Sequence, residues 1–134
     1  MSDVIYSING SVISVRNSLT LAMSEMVYVG EKKLLGEVIR IDDDRVMIQV
    51  YESTTGLKPG EEVVGTGNLL NAVLGPGILR NIYDGIERPL QQIADEQGAF
   101  ISEGRSIPSL DADKKWDVTM KIKVGDKVRE GEIF

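Results

Sequence analysis

Turn signals recur at short intervals from Val4 to Asn68, and they limit what the chain can fold into. Asn9-Gly10 interrupts one apolar alternation and Gly30-Glu31-Lys32-Lys33 a second. Asp42-Asp43-Asp44 follows, and "TTGLKPGEEV" closes the series. Connections this tight join short antiparallel neighbours. Asn9-Gly10 is the strongest hairpin signal among them, because both residues tolerate positive φ.

The segments between the turns carry strand periodicity. In "RVMIQVYE", Val46, Ile48 and Val50 share one face and Met47, Gln49 and Tyr51 the other, the pattern of a strand with one side toward a core. "EVVGTG" adds a short strand after the last loop. Aromatic residues make up only 5% of the chain, so the core must be built from Val, Ile, Leu and Met. Five or six such strands predict a small antiparallel barrel, closed or nearly so. Closure disposes of the edges that a Val/Ile-rich sheet would otherwise expose.

The texture changes at Gly75-Pro76-Gly77. Pro76 suits the first turn of a helix, and Ile78, Leu79, Ile82 and Tyr83 fall on helical spacing up to Gly85. "RPLQQIADEQG" repeats the grammar, with Pro89 at the start, Leu90, Ile93 and Ala94 as an apolar stripe, and Gly98 as the cap. From Ala99 the chain reads as β-like and turn-rich again. Its last residues, "VGDKVREGEIF", suggest a turn, a short strand, a second turn and the start of another strand. The expected class is therefore mainly β: a barrel over 1–68, short helices over 69–98, and the start of a β-rich region over 99–134. Ending on Phe134 inside an apparent strand points to a piece of a longer chain.

Composition removes several functions. The net charge is −6 with no Lys/Arg cluster, so nucleic acid is not an expected partner. Cysteine and histidine are both absent, which removes thiol chemistry, imidazole acid–base catalysis and the commonest zinc ligand. No stretch has the length of a membrane span. The N-terminus lacks the basic and apolar regions of a signal peptide, and the expected location is cytosolic.

Several motifs invite chemistry and lose to plainer readings. Asp42, Asp43 and Asp44 are consecutive and lack the following Gly of a calcium loop, so they read as a solvated turn. Gly65-Thr66-Gly67 and Gly75-Pro76-Gly77 lack the downstream Lys-Ser/Thr that completes a phosphate loop. "MKIKVGDKVREGE" resembles the first hairpin of a biotinyl or lipoyl carrier. There the modified Lys follows on a later hairpin, whereas Lys121 and Lys123 precede the turn. Arg80 and Asp84 are spaced to pair across a helical turn, with Glu87 and Arg88 beside them, and the expected role is structural. Trp116, the single tryptophan, reads as the anchor of a small satellite cluster. No catalytic, cofactor-binding or metal-ligating residue is expected.

Two long runs, "GEVIRIDDDRVMIQVYESTTGLKPGEEVVGTGNLL" and "LGPGILRNIYDGIERPL", resemble the catalytic A subunit of V-type and A-type rotary ATPases. The likeness extends through "FISEGRSIPSLDADKKWDV" and "VGDKVREGEI" and so covers nearly the whole chain. "GNLLNAVLGPG" stands where the family carries a proline-containing stretch, and "SINGSVISV" matches its Gly-Pro-Val-Val pattern loosely.

The resemblance implies a layout. Residues 1–68 would be the barrel that packs into the crown of an alternating hexamer, and 69–98 the lead-in to the nucleotide-binding domain. Residues 99–134 would begin the protruding non-homologous, or bulge, region. The phosphate loop and the catalytic glutamate of the family lie further along. Mg-ATP is accordingly expected in the whole subunit, not in this chain. The implied partners are the non-catalytic B subunits, in a soluble head peripheral to the membrane that couples ATP to H⁺ or Na⁺ movement. Self-association of the chain is a further expectation. The alternatives are a stand-alone acidic barrel acting as an interaction module and, more weakly, a carrier-like or translation-factor-like barrel.

Overall fold

A computed structural model describes residues 3–16, 18, 20–79, 81–98, 103–104 and 107–133. Its strands are β1 (Asp3–Asn9), β2 (Val12–Arg16), β3 (Glu25–Val29), β4 (Leu34–Ile41), β5 (Arg45–Val50) and β6 (Glu62–Leu69). All pairs are antiparallel, and the order β1-β2-β5-β4-β3-β6 closes on itself. The expected barrel is therefore present and fully closed.

The alternation read from the sequence sets the register. Val46, Ile48 and Val50 pack inward with Ile5, Ile13, Val15, Val27, Val29, Leu34, Val38 and Val63. Deviations from strict pairing fall between Ile5 and Ser7, between Glu25 and Val27, and between Val38 and Arg40. Such bulges bend and twist strands so that a sheet this small can close. The closing seam is the shortest: β1 and β6 pair only at Asp3↔Val63 and Val4↔Glu62. It is extended by the Ile5 amide donating to the Glu61 carbonyl and the Gly60 amide donating to the Ile5 carbonyl, each at 2.8 Å.

The first hairpin turns one residue later than Asn9-Gly10 suggests. Asn9 pairs with Val12 and ends β1, so the loop is Gly10-Ser11. Only Gly10 of the two needs positive φ, at 60°, as in a turn with Gly at its first central position. The turn at 30–33 forms as expected, between Val29 and Leu34. The three aspartates lie in the β4–β5 hairpin, where Asp42 and Arg45 exchange backbone hydrogen bonds. There Asp42 pairs with Arg40 at 2.9 Å and Asp44 with Arg45 at 3.8 Å.

Beyond the barrel the expectations need correction. The helix read over 76–85 stops after a single 3₁₀ turn, Pro76–Ile78, and Leu79 is already extended. Leu79 and Ile82, two of its supposed apolar stripe, are 75% and 71% exposed. Inside the span, the Asn81 side-chain amide donates to the Gly77 carbonyl at 2.6 Å, the acceptor that a continuing helix would give the Asn81 backbone amide. Short polar side chains compete with a helix in this way by bonding to nearby backbone. Tyr83 bridges Pro89, and the Leu90 amide donates to the Ile82 carbonyl. The second helix, α1 (Leu90–Gln97), forms as read, with Gly98 as its cap at φ 80°. The β-like segment near the end keeps its turns but builds no strand among the described residues 107–133. The Asp126 amide donates to the Lys123 carbonyl and the Glu132 amide to the Arg129 carbonyl. Between the turns no described segment of the chain pairs with it in a ladder.

Candidate assembly interface

One charged cluster ties the barrel to the later part of the chain. Glu52 lies just past the end of β5, and Arg88 lies in the turn before α1. Arg88 Nε donates to Asp84 Oδ2 at 2.6 Å, and its Nη1 lies 3.4 Å from Glu52 Oε2. These side chains are largely buried, Arg88 at 14% exposure and Glu52 at 9%. Glu52 Oε2 also accepts from the Gly104 amide. One carboxylate thus holds two separate later pieces of the chain against the barrel. Burial alone would raise the Asp84 carboxyl. The Arg88 amide, the Arg88 side chain and the Ile86 amide outweigh it and hold the group below its ordinary value. The Glu87 carboxylate accepts from the Val73 amide at 2.9 Å, which pins the segment leaving β6 to the same turn.

A second contact uses the β3–β4 turn. Lys32 Nζ pairs with Glu103 at 2.7 Å on the surface. That hydrogen bond, reinforced by the Glu103 charge, raises the Lys32 ammonium above its usual value.

A third buried acid belongs to the barrel itself. Glu25, at the start of β3, accepts from the Ala22 and Gly67 amides, each at 2.8 Å. A carboxylate occupied by two backbone amides closes a loop over the barrel end. These acids are committed to the fold, and Arg88 faces two carboxylates. The residues do not fit a Mg-ATP site, which needs a phosphate cradle of free amides and an unpaired cation.

Among the described residues, Asp84 and Arg88 are the only singled-out charged pair that the structure joins. Arg80 lies outside the described residues, and Asp84 pairs with Arg88. Sequence reading misses Glu52: nothing in "VYESTTG" marks a residue that pairs 36 positions away. Trp116 lines an open groove with Val73, Pro76, Leu79, Ile82 and Leu110, and Lys114 lies over its ring at 4.4 Å. No helix among the described residues is long and apolar enough to cross a membrane.

Known proteins match along the same division. The beta-barrel domain of the ATP synthase alpha/beta family matches residues 5–67. The A subunit of the A-type ATP synthase of Thermococcus sibiricus is 50% identical, over 93% of this chain and 23% of its own length. The V-type ATP synthase alpha chain of Halothermothrix orenii is 46% identical, over 94% of this chain and 21% of its own. The A subunit of the A-type ATP synthase of Methanopyrus kandleri is 50% identical over 97% of this chain and 22% of its own. Among solved structures, the assembled ATPase EscN of the enteropathogenic E. coli type III secretion system superposes with a TM-score of 0.59. It is 27% identical, over 66% of this chain and 21% of that one. The chain spans about a fifth of the length of these curated relatives. By its barrel, and by near-half identity along almost all of its residues, the chain belongs to the ATP synthase alpha/beta family, where it matches part of the A subunits of A-type and V-type enzymes.

Proposed function

We propose that this chain is the assembly region of the catalytic subunit of an ion-translocating rotary ATPase, supplying contacts to neighbouring non-catalytic subunits rather than catalysis. The observation that carries the reading is the closed barrel inside a match that runs well beyond it. A closed barrel has no free strand edge to lend, so it associates through side-chain faces. A stand-alone acidic module is less well supported, because the identity continues past the barrel through most of the remaining chain. In this reading the whole subunit hydrolyses or makes ATP, with Mg-ATP held by residues outside this chain. It sits in a soluble head at the cytoplasmic face of a membrane and drives or uses H⁺ or Na⁺ movement. Native mass spectrometry of the chain mixed with the non-catalytic subunit tests this. A stoichiometric complex is expected, and two free species at tens of micromolar would overturn it. Calorimetric titration with Mg-ATP is expected to give no saturable heat from this chain alone.

A further inference from the structure

The outer face of β1, β2, β5 and β4 collects arginines next to the aspartates of the β4–β5 turn. The whole chain carries −6, yet this face gathers Arg16, Arg40 and Arg45. Arg16 and Arg45 are directly opposite each other across β2 and β5, a placement that like charges ordinarily disfavour. Tyr6, beside the β1 bulge, holds them. The Arg16 guanidinium lies 3.8 Å from its ring centre and that of Arg45 5.7 Å. Arg40 and Arg45 have aspartate neighbours, whereas Arg16 has no carboxylate partner among the described residues.

Beside this cluster the surface dips. Ser7 and Ser14 share a hydrogen bond at 2.7 Å and keep the floor low. With Ile39, Arg40, Asp42, Arg45 and Met47 they line a recess of about 460 Å³, where Arg40 is already taken up by Asp42 and Arg16 at the edge is not so paired. A guanidinium already flattened on an aromatic ring is pre-oriented for a carboxylate, which it takes two-pronged. The apolar rim of Ile39 and Met47 suits a polypeptide segment. A polyphosphate backbone, unlike a segment presenting a single carboxylate, would meet the repulsion of the acidic chain along its whole length. Two copies of this chain, each at −6, repel in the same way.

We infer that Arg16, stacked on Tyr6 beside the Ser7–Ser14 recess, docks an aspartate- or glutamate-bearing segment of a neighbouring, different subunit. This rests on the assembly reading above and assigns it a face and a chemistry. The test uses the full-length subunit mixed with its non-catalytic partner. Arg16→Lys keeps the charge and places an amine that carbodiimide can couple to a carboxylate within contact distance. A crosslink from position 16 to an acidic residue of the partner is expected, together with at least a roughly tenfold weaker complex for Arg16→Glu. Wild-type assembly with neither effect would overturn the assigned face and leave the assembly reading standing. Failure of the wild-type pair to assemble would overturn both. A crosslink between two copies of the chain, or a selective loss of oligonucleotide binding in Arg16→Glu, would overturn the assigned occupant.

Discussion

Residues 3–69 and 107–133 both alternate apolar and polar side chains, yet only the first stretch forms a sheet. In the barrel the apolar positions of each strand meet those of two neighbours, and Val27, Val29, Leu34 and Val38 are completely buried. In the later stretch Val118 is 71% exposed, Ile133 85% and Val124 fully so. Periodicity alone does not make a strand: a ladder needs a partner on at least one side, and an isolated ribbon is marginal in water. The barrel supplies every strand with two partners, and residues 107–133 supply themselves with turns only.

The largest expected effect breaks the barrel side of this contrast. Ile48→Asp places an unpaired carboxylate among completely buried side chains and should unfold the barrel, because its desolvation exceeds any local repair. Ile48→Val should cost only about 1 kcal/mol. Thermal denaturation followed by circular dichroism separates the two. A cooperative wild-type melt for Ile48→Asp would place this face outside the core.

The next effect acts on the joint between the regions. Arg88→Ala leaves Asp84 and Glu52 largely buried without their shared cation and should destabilise the turn by about 2 kcal/mol. Amide exchange should quicken from Ile86 to Leu90 while the barrel strands keep their protection. Equal loss in both places would mean that the joint is part of the barrel's own cooperative unit.

Acid should weaken the same joint. The Asp84 carboxyl is held below its ordinary value of 3.8 in the folded chain. Its contribution is therefore complete above that value and disappears as the pH falls through the lower, folded one. Protection at Arg88 and Ile86, relative to the intrinsic rate at each pH, should fall below about pH 4, and Asp84→Asn should largely remove that acid response. An unchanged profile in Asp84→Asn would assign the acid response to another group.

The smallest effect is on the far segment. Val128→Ser, at a half-exposed position with no strand partner, should change stability by no more than about 0.5 kcal/mol. The same exchange at Val46, which is 2% exposed, should cost several times more.

These differences also explain what was legible in the sequence. The barrel could be read because its signals are local: period-two runs, turn residues between them, and no room for long crossovers. The joint could not, because Glu52 and Arg88 stand 36 positions apart and meet only in the folded chain. The helix expected over 76–85 failed through a local competitor that spacing does not reveal. The Asn81 side chain donates to the Gly77 carbonyl, which the Asn81 backbone amide would need for the helix to continue. The final segment shows the converse: its strand pattern is present, but a pattern specifies a face and not the partner that covers it.

Native-state hydrogen exchange across a dilution series tests the contrast most directly. Amides of Val27, Val29, Val38, Ile48 and Val50 should exchange only by global unfolding, at every concentration. Those from Val118 to Ile133 should exchange at close to unprotected rates in dilute solution, with any protection at high concentration disappearing on dilution. Strong, concentration-independent protection from Val118 to Ile133 would show a self-sufficient fold there and contradict the account.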